Sequence, residues 1–385
     1  MQVQVAAQQS GVQRVLAFLL EEQDPVTRPL VASACALSRP TVFAAVQQLE
    51  SLGLVAVTGQ QSGSPGRSAT LYEVAPGAGI LAAVDIGGSN LRVAITDLRG
   101  KLLAEGNEPT AEAGGPAITK QAIDLVHSVL KSSEAAGATP TRVAVSVPGV
   151  VGADGSTVHY ASNIDQFTAF DFRTPLSDAL SAPVVLDNNV NLAALGERWR
   201  GVARGLETFA VVAVGAGIGA GIVHEGVLLR GAHGAAGEVA FLPPFGSRRK
   251  VDAAAHDEAG GLSLLAAART RSGWTAPPPV TVEELFVRAA EGEEPAASLV
   301  EEECTRVASV IASLCAVIDP ETVILTGGVG ANDLLIARAG ELAQTMTLFP
   351  PSVVRSGLGE RASLVGAIQL AAQSAKLHLM ETLNV

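Results

Sequence analysis

The chain has 385 residues, 48% of them hydrophobic, and a formal net charge of −12. That length implies about two or three domains with sizeable cores, and the acidity argues against non-specific polyanion binding by the chain as a whole. No apolar run is long enough to span a bilayer, and the start, Met1-Gln-Val-Gln-Val-Ala-Ala-Gln-Gln-Ser10, lacks the basic head and apolar core of a secretory leader, so a cytoplasmic protein without membrane contact is expected.

Cysteines at 35, 304 and 315 are too few for a disulfide framework. Cys304 and Cys315 fall on one face of a helical pattern and read as buried free thiols.

Residues 1–78 form the first unit. Four arginines there stand against five carboxylates, so this stretch is far closer to neutral than the remainder. Val12–Leu20 carries apolar residues at helical spacing and ends at Asp24-Pro25. A second short helix is predicted from about Thr27 to Ala34. Leu37-Ser38-Arg39-Pro40-Thr41 introduces a third, Val42–Ser51, with Ser38 as its cap and Pro40 in its first turn. Leu49 and Leu52 are expected to close that helix onto the core. Two short strands, Gly53–Thr58 and Ala69–Val74, flank a Gly/Ser-rich tip.

Three helices followed by a hairpin is the winged helix-turn-helix pattern. A helix of this kind fits the major groove of double-stranded DNA, while flanking phosphates need positive or hydrogen-bonding groups. Arg39, Thr41, Gln47 and Gln48 are candidates near the third helix, and Arg67 at the hairpin tip is suited to a minor groove. The competing readings are an exposed loop arginine and a three-helix unit that contacts protein.

After the linker Ala75-Pro-Gly-Ala-Gly79 the pattern changes. Residues 79–190 open with three predicted strands, Ile80–Ile86, Leu91–Thr96 and Lys101–Ala104, joined by tight turns at Gly87-Gly88 and Asp97–Gly100. A helix over about Ala117–Ala136 and a buried-type strand Arg142–Val147 follow. The unit ends at Pro183-Val-Val-Leu186, which runs into Asp187-Asn-Asn-Val-Asn191, a strand turning into a helix with Asn residues at its cap.

Residues 191–385 repeat the motif. Phe209–Val214, Gly219–Val223 and Val227–Arg230 form a second strand, glycine turn, strand, short turn, strand module. Helices are predicted over Gly260–Arg269, after Thr281, over about Pro295–Ile318, and over about Leu358–Leu383. A dinucleotide-binding loop is disfavoured, because Gly-x-Gly-x-x-Gly counted from Gly215 requires glycine where Ala220 stands and should open a helix.

Two such halves resemble the duplicated fold of actin and sugar kinases, an α/β architecture in which a nucleotide lies between the lobes. Glycines in the hairpin turns let backbone N–H groups approach phosphates. Asp85-Ile-Gly87-Gly88-Ser-Asn90 resembles the first phosphate loop, Gly215-Ala-Gly217-Ile-Gly-Ala-Gly221 the second, and Thr326-Gly327-Gly328-Val-Gly330 the adenosine-side turn.

Within that fold, Val212–Glu238 and Asp187–Glu197 resemble the ROK family of repressors and sugar kinases across nearly the whole chain, including the N-terminal arm that only the repressors carry. The resemblance implies effector-binding roles for Asn163, Asn188, Asn189 and Glu238. It also exposes departures. The family's kinases place their catalytic aspartate where Asn189 stands, and an amide has no useful basicity for taking a proton from a sugar hydroxyl. Asp187 is a poor substitute, because residues two apart on a strand lie roughly 6–7 Å apart and catalysis is sensitive to about 1 Å. The family's Glu-x-Gly-His element, whose histidine also binds a structural zinc, is here Glu238-Val-Ala240-Phe241. The cysteine-rich element that completes the zinc site corresponds to Phe245–His256, which has no cysteine, and Asp252 with His256 cannot complete a tetrahedral set.

The expectation is therefore a non-enzymatic, DNA-binding regulator, a repressor of carbohydrate uptake or breakdown. It needs neither zinc nor ATP, answers to a sugar or sugar phosphate, and acts as a homodimer or homotetramer on an operator. Two alternatives stay open: an active ATP-dependent sugar kinase with an appended arm, and a regulator that binds no sugar. By resemblance, the long C-terminal helix packs back against the arm and offers a route between ligand pocket and arm.

Overall fold

The computed structural model describes residues 9–62, 68–152, 154–159, 170–242 and 260–383. The arm opens with α1 (Gly11–Glu21), whose cap Ser10 accepts from Gln13 N while the Gln13 side chain accepts from Ser10 N, a reciprocal capping box. β1 (Val26–Thr27), α2 (Arg28–Ala34) and α3 (Arg39–Ser51) follow. β2 (Val55–Ser62) and β3 (Ser68–Val74) complete a three-stranded sheet in the order β1-β3-β2. The two-residue β1, paired through Val26↔Tyr72, is too short to leave a periodic signal in the sequence.

Ser38 caps α3 by accepting from Thr41 N, with proline in the first turn as expected. Val42, Ala45, Val46 and Leu49 form its buried stripe. Leu52, expected in the core, is 53% exposed. It occupies the helix C-cap, and the left-handed turn at Gly53 brings Leu54 inward in its place.

The first lobe contains β4 (Ile80–Ile86), β5 (Asn90–Asp97), β6 (Leu102–Pro109), α4 (Gly115–Ser132), β7 (Arg142–Val147), β8 (Val150–Val151), β9 (Val158–His159), α5 (Arg173–Leu180) and β10 (Val184–Asn188). Its sheet runs β10-β7-β4-β5-β6, with β4 parallel to β7 and antiparallel to β5. After α6 (Asn189–Arg200), the second lobe repeats the plan with β11 (Phe209–Val214), β12 (Ile218–His224), β13 (Val227–Leu228), α7 (Gly261–Thr270), α8 (Val282–Ala290), α9 (Glu294–Ile318), β14 (Thr322–Thr326), α10 (Asp333–Met346) and β15 (Ser352–Arg355). Its order, β13-β12-β11-β14-β15, is the first lobe's order read over equivalent strands. The repeated glycine-turn motif thus corresponds to repeated topology.

Both sheets are covered on two faces, so their central strands β4 and β11 are apolar except for Asp85 near the end of β4. Outer faces meet their own lobe's helices: Ala82 and Val84 lie with Ile118 and Val126, and Val212 and Leu325 with Val307 and Ile311. Inner faces, including Leu81, Ala83, Ala144, Phe209 and Val211, share one core with α6, the C-terminal helix α11 (Ala362–Thr382) and the arm. α11 follows the second lobe in the chain, but it packs against β4, β7 and α6.

Glycine makes the α6–α11 crossing possible. A Cβ at Gly196 would strike the Ala362 carbonyl, and one at Gly366 would strike the backbone of Leu192.

The arm docks at the far end of α11. Gln13 Nε2 donates to the Met380 carbonyl at 2.7 Å inside the interface. Lys376 pairs with Glu21 at 2.6 Å, and Arg99 of the first lobe pairs with Glu73 of β3 at 3.1 Å. Among the described residues, no single helix is long and apolar enough to cross a membrane.

Candidate functional site

The strand ends of the two lobes face a cleft of about 610 Å³. Asp85 closes β4 and is 4% exposed; its Oδ1 accepts from Ser146 of the neighbouring β7 at 2.7 Å. Tight turning at Gly87-Gly88 sets the hairpin register so that Arg92 lies directly across from Asp85. Arg92 Nη1 stands 3.6 Å from Asp85 Oδ2, while its Nη2 donates at 2.7 Å to Glu360, in the turn that enters α11. Burial pushes the Asp85 carboxyl above its ordinary pKa, against the opposing pull of Ser146 and Arg92.

Asp85, Asn189, Gly215, Gly327 and Gly328 all line this cleft. Gly87, Gly88 and Gly217 belong to the same turns without lining it. Gly327 has φ of +89°, and a Cβ there would strike the Val214 carbonyl, so only glycine permits this turn beside the second phosphate-type loop.

Asn189 opens α6 and lines the cleft, with no hydrogen-bond partner for its side chain among the described residues. Its neighbour Asn188 serves the backbone. Its Oδ1 accepts from Val190 N at 2.8 Å and Asn191 N at 3.2 Å, and its Nδ2 donates to the Gly149 carbonyl. Asn188 is therefore the helix cap, with one amide hydrogen left for any ligand.

Asp187 points away from a base's role. Arg230 donates to its Oδ2 from Nε at 3.0 Å and from Nη2 at 2.8 Å, while its Oδ1 accepts from Asn188 N and from Asn191 Nδ2. This ion pair joins the end of β10 to the segment after β13, and so ties one lobe to the other. Beside it lies a smaller cavity of about 280 Å³, lined by Gly152, Asp187, Asn191 and Arg230 among others. Asn191 is 3% exposed and its Oδ1 has no hydrogen-bond partner among the described residues. A buried orphan acceptor on a cavity wall is suited to a ligand hydroxyl.

Glu238 begins the short 3₁₀ turn Val239–Phe241 and lines neither cavity. Burial raises its pKa. Asn163, Arg67 and the Phe245–His256 segment lie outside the described residues.

On the arm, Arg39, Thr41, Gln47 and Gln48 all lie on the exposed face of α3. Thr41 is partly committed, since its hydroxyl meets Ser38 Oγ at 2.7 Å. Phe43, which the sequence reading passed over, is 50% exposed on the same helix. Arg28 stacks on it and on Tyr72, at 4.6 and 4.7 Å from the ring centroids, linking α3 to β3.

Arg92 and Arg230 were also missed as site residues. For Arg92 a signal existed: a lone cation beside the apolar run Val93–Ile95, placed opposite Asp85 by counting outward from the glycine turn. Arg230 pairs across 43 residues, and nothing local marks it.

Residues 81–374 match the ROK family model. Glucokinase of Halalkalibacterium halodurans is 30% identical over 160 residues, 41% of this chain and 48% of that enzyme. The xylose repressor of Bacillus subtilis is 25% identical over 231 residues, 60% of this chain and 59% of the repressor. The chain thus spans about half to three-fifths of the length of these two relatives.

Among solved structures, the ROK hexokinase from Thermus thermophilus superposes with a TM-score of 0.65 at 27% identity, over 77% of this chain and 99% of that one. A ROK family transcriptional regulator, homologous to the Escherichia coli Mlc protein, superposes with a TM-score of 0.77 at 18% identity over 98% of both chains, a likeness of fold that extends through the arm. The two-lobed α/β body is that of a sugar-kinase-like protein, and the chain belongs to the ROK family.

Proposed function

We propose that this protein is a sugar-responsive, DNA-binding transcriptional repressor that has given up kinase chemistry. The observation that carries the reading is Asn189, an amide residue lining the cleft where proton abstraction would require a carboxylate. Arg92 adds to it: with a guanidinium 3.6 Å from Asp85 and anchored on Glu360, the carboxylate nearest the phosphate turns already has a positive partner. The arm supplies the complementary half. It forms a winged helix-turn-helix whose α3 presents Arg39, Gln47 and Gln48 to a major groove, with Arg67 of the wing as a minor-groove contact. Similarity to a xylose repressor and to a solved transcriptional regulator supports it.

The effector is a sugar or sugar phosphate bound between the lobes, where Asn191 Oδ1 awaits a hydroxyl donor and Asn188, Asn189 and, by the family resemblance, Asn163 supply further polar groups; Glu238, which lines neither cavity, stands outside this set. Sugar binding releases DNA to the extent that it favours one lobe arrangement over another. Zinc plays no part, because residues 239–259 contain no cysteine and the donor set there does not fit a tetrahedral site. A homodimer or homotetramer presents paired α3 helices to half-sites one duplex turn or a multiple apart.

The test combines two assays on purified full-length protein. Electrophoretic shift of DNA from upstream of its own gene, with and without a panel of sugars, is expected to show binding that one sugar weakens. A coupled ADP-release assay on the same panel is expected to show no turnover. Binding that ignores every sugar would leave a regulator without a sugar sensor. Turnover at ordinary enzymatic rates would favour the second reading, an active kinase bearing an arm, which the glucokinase similarity and the retained Asp85 and glycine turns support.

A further inference from the structure

A second cavity, of about 820 Å³, lies where the arm meets the body. The end of α1, the β5–β6 turn, the end of α6 and the middle of α11 build its walls. Among the described residues that line it, five are cations, Arg99, Lys101, Arg200, Arg204 and Lys376, and Glu21 is the one carboxylate. In a chain of net charge −12 this is a local reversal of sign.

The five differ in what they already hold. Lys376 pairs with Glu21, and Arg99 with Glu73 and Asp97. Lys101, Arg200 and Arg204 have no carboxylate within ion-pair distance among the described residues. Arg200 is pre-positioned: its guanidinium sits 3.7 Å from the Trp199 ring centroid, and its Nη2 donates to the Arg99 carbonyl at 3.4 Å. Burial depresses its pKa, against the attraction of Asp97. Unpaired cations held together in a concave site repel one another, and that repulsion is relieved by an anion with several acceptor oxygens. The volume suits a small molecule.

We propose that this junction binds a small multivalent phosphate anion as a second ligand, separate from the cleft between the lobes. The anion competes with Glu21 and Glu73 for Lys376 and Arg99, the cations that dock the arm, so its binding loosens the arm from the body. A phosphorylated sugar and a nucleotide share this chemistry.

The probe is inorganic pyrophosphate, titrated into the full-length protein at low salt and followed by calorimetry and by the fluorescence of Trp199, with Trp274→Phe removing the other tryptophan. Saturable binding is expected, and Lys101→Ala/Arg204→Ala is expected to weaken it about tenfold or more. Both side chains are exposed, and neither has an ion-pair partner among the described residues, so the melting temperature without ligand should stay unchanged; Arg204→Lys should retain binding. Glucose 6-phosphate, ATP and glucose, run in parallel on both proteins, separate a sugar-phosphate source from a nucleotide source.

Amide exchange in α1 is expected to quicken at saturation. Absence of saturable binding at millimolar pyrophosphate, or equal affinity in the double variant, overturns the site. Unchanged or slower exchange in α1 overturns the competition. None of these readouts needs operator DNA or an effector sugar, so their failure is distinct from failure of the repressor reading.

Discussion

Asp187 shows how a single side chain can be recruited away from chemistry. At 5% exposure it is held by Arg230 and Asn191, so its oxygens are engaged in joining the lobes. Arg230→Gln leaves that buried carboxylate without its cation. The cost is expected to be about 1–2 kcal/mol in urea unfolding, less than for a fully buried pair because the Arg230 side chain is 48% exposed. An unchanged unfolding midpoint would mean the pair carries no stability. Cys304 makes a second residue-scale expectation: burial pushes its thiol up to about 12, so at pH 8 it stays protonated and should resist a disulfide reagent until the protein is unfolded. Fast labelling of Cys304 in native protein would contradict this. The sequence already pointed to Asn189 and to the buried thiol of Cys304, because residue type and neighbours suffice for both, whereas Cys315, expected to be buried with it, is only half-buried near the end of α9. Arg230 stayed hidden, since its partner comes from the other lobe and only the folded chain brings the two together.

At the scale of elements, the α6–α11 crossing is the most demanding contact in the body. Gly366→Ala places a methyl group against the Leu192 backbone, and the helices must part to admit it. A loss of about 1–3 kcal/mol in denaturant unfolding is expected; an unaffected variant would show that the crossing has room. On α3, Gln47→Ala and Gln48→Ala remove exposed amides without touching the Val42–Leu49 stripe. Each is expected to weaken specific DNA binding by about 1–3 kcal/mol if it reads a base edge, measured by titration against a shuffled duplex. Equal loss on both duplexes would make these residues phosphate contacts instead. Helix α3 was legible from its cap, proline and apolar stripe, all local features. Leu52 was misplaced because periodicity does not say where a helix stops, and the Gly53 turn shifts the core position to Leu54. The crossing itself was invisible: glycines at 196 and 366 look like weak helix positions until the second helix is laid across the first.

Over the whole molecule, the duplicated topology was readable because each half repeats its glycine turns, whereas the shared inner core of arm, α6 and α11 depends on packing between distant segments. Protons bear on the assembled fold as well. Asp85, Glu238 and Glu303 each have a pKa raised chiefly by burial, so the folded protein holds their protons more tightly than the unfolded chain does. Their contribution is full below the ordinary carboxylate range and is lost as pH rises through the folded values. Asp171, Glu293 and Glu301, whose values are lowered, are ionised in both states above that range. The melting temperature is accordingly expected to be lower at about pH 7.5 than at about pH 5.5. A rise over that interval would mean that other groups dominate.

Helix α11 has one further consequence. It starts at Ala362 and Ser363 on the wall of the cleft between the lobes and reaches Gln13 of the arm through Met380. Its 21 residues make a rod about 30 Å long. A tilt of about 4° at the cleft end would swing the far end by about 2 Å, enough to break a hydrogen bond. Any change at the cleft that tilts α11 would therefore be magnified along the rod and felt where the arm is seated.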